Sequence, residues 1–297
     1  MTVIQKADFG DGQHDNTNHR HQAVHHGHPT EENSTQTMLE VNQAKLPRHV
    51  AVIMDGNGRW ATTRGLPRIL GHRAGAEAVH RIAEACCELG IQALTLYAFS
   101  WENWSRPSEE IQDLMELLDE FLTRETERLR TNQIRLQAIG RLTTLPPGVL
   151  AHLSQLMAQT ARFSRMTLTL ALSYGGRQEI VGAARRIAQH IQEGRLMPEQ
   201  VDERVFTQHL YLPELPDPDL LIRTSGEQRI SNFLLWQVSY SELYVTQRLW
   251  PDFTKEDLID AIVAYQKRER RFGHTEAKKE SIVYPGPPGT LAGAGSP

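Results

Sequence analysis

Short apolar runs alternate along the chain with longer stretches in which apolar residues recur at helical spacing. The run at residues 50–54 is continuous and ends at a glycine-rich turn, which indicates a strand buried in a parallel sheet. Further strands are predicted at 93–99, 134–139, 167–172, 220–222 and 242–245. Helices are predicted at about 74–89, 108–130 and 255–271, after Pro147, and from Arg177 to about Glu193. The alternation predicts an α/β fold with a six-stranded, mostly parallel sheet flanked by helices.

The two ends of the chain depart from this pattern. Residues 1–45 are polar and rich in histidine, which predicts a disordered N-terminal extension, although weak metal binding by such a tract is an alternative. Residues 275–297 are rich in Pro, Gly and Ala and predict a flexible tail. Residues 46–274 are therefore expected to form one domain.

Polar clusters follow four of the predicted strands, at 55–59, 100–106, 175–177 and 223–232. Because the carboxyl ends of parallel strands meet at one edge of a sheet, these clusters should lie together, where α/β proteins bind ligands. Asp55-Gly56-Asn57-Gly58 alone is also ordinary turn chemistry, with Asp55 as a helix N-cap. Four such clusters on one edge favour a cleft that binds a polyanion.

Arginines identify phosphate as the ligand chemistry, because a guanidinium group makes paired hydrogen bonds to phosphate oxygens. Two groups, Arg59 with Arg68 and Arg223 with Arg229, suggest two phosphate-bearing substrates. Asp55 could hold a divalent cation. The sequence contains no nucleotide-binding P-loop, no dinucleotide-binding glycine motif and no Gly-x-Ser-x-Gly nucleophile elbow, which argues against those enzyme classes.

Composition limits the partners and the cellular compartment that we expect for the protein. The net charge is -4, so the whole molecule is not expected to bind nucleic acid. The two cysteines, Cys86 and Cys87, are adjacent in a predicted helix, which fits a reducing cytoplasm better than a disulfide. No apolar run approaches the ~20 residues that span a bilayer, so we expect at most peripheral contact with a membrane.

The helix at 108–130 carries a broad apolar stripe. Such a stripe usually packs on a core, but beside a phosphate-binding edge it could also wall a tunnel for a hydrocarbon chain. The residues of the stripe are Ile111, Leu114, Met115, Leu117, Leu118, Phe121 and Leu122.

Four stretches resemble the signature motifs of one enzyme family, the cis-prenyltransferases, whose bacterial members include undecaprenyl diphosphate synthases (isoprenyl transferases). They read DGNGRWATTRGLPRILGHRAG, LTLYAFSWENWSRP, LALSYGGRQEIV and IRTSGEQRISNFLLWQVSYSELYVTQRLWPDF, and the resemblance spans about 47–273. It implies a homodimer with an apolar product tunnel. It also implies Mg²⁺-dependent, repeated condensation of isopentenyl diphosphate with an allylic diphosphate primer, farnesyl or geranylgeranyl, to give a long cis-polyprenyl diphosphate.

The resemblance also implies residue roles. Asp55 and Asn103 correspond to catalytic residues, with Asn103 handling a proton, and Asp55 and Glu242 correspond to metal ligands. Trp60 and Phe99 would line the tunnel entrance, with Met166 and Leu168 near its floor. Substrate would be bound by Gly56, Asn57, Gly58, Arg59, Trp60, Arg68, His72, Ser100, Glu102, Trp104, Arg106, Arg223, Arg229 and Ser231.

Two positions depart from the family pattern: Gln228 stands where many members have His, and Ser225 replaces a Gly. Two rival interpretations remain, a non-catalytic partner subunit of a heteromeric cis-prenyltransferase and a phosphate-ester hydrolase. The presence of Asp55, Arg59 and Glu242 favours a catalytic chain. We expect Asp55→Ala to abolish elongation and to leave the fold intact.

Overall fold

Six parallel strands form one sheet in a computed structural model that describes residues 41–268. The strand order is β3-β4-β2-β1-β5-β6, and every neighbouring pair is parallel. The predicted α/β fold is therefore confirmed. The strands are β1 His49–Ile53, β2 Ala93–Ser100, β3 Ile134–Ile139, β4 Met166–Tyr174, β5 Leu220–Arg223 and β6 Glu242–Val245.

Helices connect the strands and cover the sheet, as crossover connections between parallel strands require. No helix within residues 41–268 is both long and apolar enough to cross a membrane. The helices are α1 Asn57–Thr62, α2 Arg68–Leu89, α3 Ser108–Thr131, α4 Pro147–Thr160, α5 Gly176–Gln192, α6 Glu203–Thr207 and α7 Lys255–Gln266.

Both faces of the sheet are buried, which explains why the strands read as continuous apolar runs. Successive residues of β1 alternate between the faces, because side chains of a strand point to opposite sides. Val50 and Val52 join the larger core, and Ala51 and Ile53 join a smaller core that contains Tyr97.

Helix α2 begins at Arg68, six residues before the predicted start at residue 74. The predicted start was too late because Gly71, within the missed residues 68–73, weakens the helical signal there. Both glycines make room for Asn57: a Cβ at Gly71 would lie 2.0 Å from the Asn57 carbonyl oxygen, and one at Gly75 would lie 2.4 Å from Asn57 Oδ1. The two glycines lower the helix propensity of the first turns of α2, and they leave the space that Asn57, a residue of the predicted site, occupies.

Residues 41–45 pack on the domain. Val41 is buried in the larger core, and the Asn42 N–H donates to Gln266 Oε1 at 3.0 Å. The described fold therefore begins before Leu46, inside the predicted extension. The predictions for residues 1–40 and for the tail at 275–297 lie outside the described residues.

Candidate active site

The four predicted polar clusters lie at the carboxyl edge of the sheet. Ile53, the last residue of β1, is in register with Tyr97 of β2 and with Arg223 of β5, and Tyr174 of β4 is in register with Ser100. The segments that follow these four strands are thus neighbours, as the parallel topology predicts.

Asp55 is fixed at this edge through its backbone. Its N–H donates to Thr224 Oγ1 at 2.8 Å, and its carbonyl oxygen accepts from the Thr224 hydroxyl at 2.6 Å and from the Trp250 N–H at 3.0 Å. The carboxylate is 29% exposed and accepts a hydrogen bond from Arg223 Nη2 at 2.8 Å. Arg59 Nη2 lies 3.7 Å from its other oxygen. Asp55 therefore stands between two arginines and still faces solvent.

Arg223 is the buried member of the arginine cluster, with a side chain only 3% exposed. Besides Asp55, it donates through Nη1 to Ser231 Oγ at 2.8 Å and to the Arg229 carbonyl oxygen. Because an unpaired buried guanidinium is costly, Arg223 must keep such partners, and it thereby fixes Asp55 relative to the segment 229–231.

Arg59 also joins this cluster, although the sequence pairs it with Arg68. Its Nη2 donates to Ser225 Oγ at 2.5 Å, and its Nη1 donates to the Ser225 carbonyl oxygen at 3.1 Å. Arg59 and Arg229 both form ion pairs with Glu227. Arg59 thus shares a carboxylate partner with each arginine of the second predicted group, Asp55 with Arg223 and Glu227 with Arg229, and these three arginines form one cluster.

Arg68 approaches the start of α1 at Gly58 and pairs with Glu110. Gly58 permits this approach, because a Cβ there would be 2.6 Å from Arg68 Nη1. Arg106 Nη1 donates to Glu110 at 2.9 Å, and Arg68 Nη2 lies 3.8 Å from the same carboxylate. Burial, together with the charges of Arg106 and Arg68, lowers the pKa of His72 to about 4. The imidazole is therefore neutral near pH 7.

Three polar side-chain atoms of the site are buried without a hydrogen-bond partner among the described residues: Asn57 Oδ1, His72 Nε2 and Arg223 Nε. Such atoms cost free energy unless a ligand or water satisfies them. Asn57 and His72 both line a cavity of about 100 Å³ that continues between α2 and α3. Gly56, with φ of +108°, precedes α1, whose first residue is Asn57.

The rest of the cavity wall is apolar, and α3 supplies much of it, through Leu114, Met115, Leu117, Leu118 and Phe121. Phe99 also lines the cavity, and the residues of β4 that reach it are Leu170 and Leu172. Met166 and Leu168, the residues predicted near the tunnel floor, are packed in the core and do not line it. Trp60 lies outside the cavity wall: its indole N–H donates to Asp252 Oδ1 at 2.6 Å, and the Arg64 guanidinium covers its ring.

The segment after β2 forms a 3₁₀ turn, Trp101–Ser105, which we call the Asn103 loop. Asn103 Oδ1 accepts from the Ser100 N–H at 3.0 Å, which closes the loop on itself. The Trp104 indole N–H donates to Ser173 Oγ at 2.8 Å, and its ring packs edge-on against Phe99. The predicted residues of the Asn103 loop thus lie beside the cavity.

Glu242 is not brought to Asp55 within one chain. It is the first residue of β6 and is in register with Leu220, whereas Asp55 lies beyond the carboxyl end of β1. Its carboxylate accepts a hydrogen bond from Arg268 at 2.7 Å. Within one chain the two carboxylates therefore do not meet at a single metal ion as predicted. The parallel register places Glu242 at the amino ends of the strands and Asp55 beyond their carboxyl ends.

The donor set at Asp55 fits a metal ion that is held mainly by its substrate. Among residues 41–268 no three His, Cys, Asp or Glu side chains converge to make a complete metal site. Mg²⁺ does not need one, because it is commonly bound by one or two carboxylates together with substrate phosphates and water. Asp55, partly exposed and next to arginines, offers one such carboxylate.

Four residues of the site were missed as candidates: Thr224, Glu227, Asn232 and Ser173. Thr224 holds the Asp55 backbone, and Glu227 bridges Arg59 and Arg229. Asn232 and Ser173 contact the Asn103 loop. Thr224, Glu227 and Asn232 lie inside the predicted cluster at 223–232, but a sequence pattern does not report which side chains meet across loops.

Comparisons with known proteins identify the family of the chain. Residues 53–273 match the family model described as "Putative undecaprenyl diphosphate synthase". The chain is 51% identical to isoprenyl transferase of Heliobacterium mobile over 234 residues, which are 79% of this chain and 90% of that relative. It is 48% identical to ditrans,polycis-undecaprenyl-diphosphate synthase ((2E,6E)-farnesyl-diphosphate specific) of Xanthomonas axonopodis pv. citri over 241 residues, which are 81% of this chain and 94% of that one.

A solved structure agrees as well. Lavandulyl diphosphate synthase from Lavandula x intermedia, in complex with dimethylallyl diphosphate, is similar with a TM-score of 0.76 and 40% identity. The match covers 78% of this chain and all of that one. The resemblance expected from the sequence is confirmed: the chain belongs to the undecaprenyl diphosphate synthase family of cis-prenyltransferases and is a transferase.

Proposed function

We propose that the chain condenses isopentenyl diphosphate repeatedly with an allylic diphosphate primer in a Mg²⁺-dependent reaction, and that the product is a long cis-polyprenyl diphosphate. The observation that carries this proposal is the position of Asp55. It lies between Arg59 and Arg223, and two residues near it in the chain, Met54 and Asn57, line an apolar cavity. A charged surface next to an apolar cavity suits substrates that carry a diphosphate on a hydrocarbon chain.

The primer would bind with its diphosphate near Asp55, Arg59 and Arg68, and its hydrocarbon would enter the cavity past His72. Bound Mg²⁺ would supply positive charge to the departing diphosphate. The arginines would stabilise the same negative charge as the allylic carbon–oxygen bond breaks, because they are already in place before it develops. A neutral His72 adds no competing positive charge within the apolar part of the site.

Isopentenyl diphosphate would bind near Arg229 and Ser231, with Arg223 at the boundary between the two substrates. The cluster formed by Arg59, Arg229 and Glu227 supports adjacent binding of two diphosphates, since its members span both predicted groups. The Asn103 side chain would orient the second substrate as it loses a proton. The growing chain would extend between α2 and α3.

We also propose that the chain forms a homodimer through β6, the outermost strand on one side of the sheet. Tyr240 and Leu243 leave large apolar surface exposed beside that edge, with 72% and 37% of their areas accessible. Glu242 begins the same strand. Because Glu242 lies far from Asp55 of its own chain, its predicted metal role requires a second copy.

Mixing two inactive variants tests this arrangement. If each active site combines Asp55 of one chain with Glu242 of the other, dimers formed between Asp55→Asn and Glu242→Gln chains contain one intact site and recover part of the activity. If no activity returns while co-purification of differently tagged chains shows mixed dimers, Glu242 does not act across the interface.

The cysteines support a reducing compartment, since Cys86 and Cys87 are both buried free thiols. We accordingly propose a cytoplasmic enzyme that touches a membrane only peripherally, to release its product. Cell fractionation followed by a salt wash tests this placement, because a peripheral protein is released from membranes by salt, whereas an integral protein is retained.

A condensation assay tests the proposed function directly. The protein would be incubated with labelled isopentenyl diphosphate, Mg²⁺, and either farnesyl or geranylgeranyl diphosphate, and the products would be separated by chain length. The proposal requires a long polyprenyl diphosphate that disappears on chelation of the metal. Transfer of a single unit would contradict repeated condensation, and release of diphosphate without isopentenyl diphosphate would indicate a hydrolase.

A further inference from the structure

Asn232 connects three segments around the proposed site. Its Nδ2 donates to Glu102 Oε1 at 2.8 Å and to Gln178 Oε1 at 3.1 Å. Its Oδ1 accepts from the Arg177 N–H at 2.9 Å, and its carbonyl oxygen accepts from the Gly176 N–H at 2.7 Å. Asn232 is therefore bonded to the Asn103 loop and to the start of α5.

The backbone around Asn232 is in an unusual conformation. Ser231 and Asn232 are consecutive residues with φ of 47° and 63°. Left-handed backbone is unfavourable for residues other than glycine, although Asn tolerates it better than most. Such a conformation persists where surrounding contacts hold it, and it occurs often at sites that bind or switch.

The turn sends neighbouring side chains to two different partners. Ser231 Oγ accepts from Arg223 Nη1 at 2.8 Å, and Arg223 in turn bonds Asp55. Asn232, the next residue, holds Glu102 of the Asn103 loop. A single peptide unit thus joins the charged cluster to the Asn103 loop.

We infer that Asn232 is a positioning residue that makes the placement of the Asn103 loop depend on diphosphate binding at the arginine cluster. The inference rests on the proposed function, because it assumes that a diphosphate binds beside Arg223 and Arg229. An anion that draws on the Arg223 guanidinium changes its bond to Ser231, and the following peptide carries that change to Glu102. Asn103 is the neighbour of Glu102 and moves with it.

Coupling of this kind acts in both directions. If the loop contact favours the bound arrangement of the cluster, then loss of the contact weakens diphosphate binding by the same factor. We expect the Kd for inorganic diphosphate to rise at least about fivefold when the Asn232–Glu102 bond is removed, at the lower end of typical coupling. Direct contact between diphosphate and Asn232 is not needed.

Hydrogen exchange tests the coupling with inorganic diphosphate as the probe. In the wild-type chain, diphosphate should slow amide exchange in the peptide that spans residues 100–106. In Asn232→Ala, saturating diphosphate should no longer slow it. The control is Gln178→Ala, which removes the other Nδ2 partner and should leave the loop response unchanged.

A designed exchange of partners separates coupling from a folding defect. Asn232→Asp places a carboxylate against Glu102 and should abolish the loop response. Adding Glu102→Gln restores a hydrogen bond of opposite direction, because the amide introduced at residue 102 can donate to the carboxylate introduced at residue 232. The double variant should therefore recover the exchange response of the Asn103 loop and much of the lost affinity for diphosphate. If Asn232 had only a structural role, Glu102→Gln would not restore the loop response in the Asn232→Asp chain.

Three results would overturn the inference: no loop response in the wild type, an unchanged response in Asn232→Ala, or no rescue in the double variant. None of these measurements needs turnover. A wild-type chain that shows the response but fails the condensation assay would defeat the proposed function and leave the coupling standing.

Discussion

Replacing Asp55 by Asn and by Ala should separate its effect on activity from its effect on stability. The carboxylate accepts from Arg223 Nη2 at 2.8 Å, and the guanidinium is 3% exposed. Removing a partner of a buried charge costs about 3–5 kcal/mol when the charge is left alone. Here Ser231 and the Arg229 carbonyl still accept from Arg223, and Asp55 itself is partly exposed, so we expect about 2 kcal/mol for Asp55→Ala.

Asp55→Asn should be milder for stability and just as damaging for activity. The amide oxygen can still accept from Arg223, so the free energy of unfolding should fall by about 1 kcal/mol or less. Both variants lose the charged carboxylate that suits a metal ion. Loss of one fixed electrostatic contact of this kind lowers kcat by about 100- to 1,000-fold. The structure thus changes the expectation that Asp55→Ala leaves the fold undisturbed.

Urea unfolding and a condensation assay with labelled isopentenyl diphosphate measure the two effects. The control is Glu88→Gln, which breaks an exposed ion pair with Lys255 and should change stability by less than about 1 kcal/mol without loss of turnover. An Asp55→Ala chain as stable as wild type would refute the pairing argument. Near-normal turnover in Asp55→Asn would refute the role of the carboxylate.

Three further predictions follow from burial and packing. Burial lowers the pKa of His49 to about 4, so on acidification the unfolded chain binds a proton that the folded chain excludes. The contribution of His49 to the free energy of unfolding should therefore fall by about 2 kcal/mol between about pH 7.5 and about pH 5. His49→Gln should reduce this pH dependence, as measured by urea unfolding at each pH. Gly75→Ala should destabilise the protein by about 1–3 kcal/mol in thermal unfolding because its Cβ would meet Asn57, whereas Gly182→Ala, which has ordinary contacts in α5, should be neutral or stabilising. Ala76→Leu should narrow the cavity and shorten the products seen by chromatography, and an unchanged product distribution would place the hydrocarbon chain elsewhere.

The strands and the active-site edge could be predicted because their signals are local. A continuous apolar run such as Val50 to Ile53 is enough to indicate a strand buried on both faces, and parallel order then brings the following loops together. The first two turns of α2 could not be predicted in this way. Gly71 and Gly75 make sense only once Asn57 is seen against them, and that contact joins separate elements.

The ion-pair and hydrogen-bond partners of the charged residues could not be predicted from the sequence pattern either. Arg59 and Arg68 are close in the chain, yet one turns toward Ser225 and the other toward Glu110. Glu242 looked like a partner for Asp55, and only the strand register places it at the opposite edge. Proximity in sequence predicts which residues share an edge of the sheet but not which side chains meet there.

The shared carboxylates give the site a property that separate phosphate pockets would lack. Asp55 contacts Arg59 and Arg223, and Glu227 contacts Arg59 and Arg229. A diphosphate that enters on either side must therefore compete with these carboxylates for guanidinium groups that the other side also uses. Repeated condensation requires the diphosphate of each product to move to the primer side before the next cycle. Because Arg59 is linked through Asp55 to Arg223 and through Glu227 to Arg229, a diphosphate that leaves one arginine would find another within the same cluster.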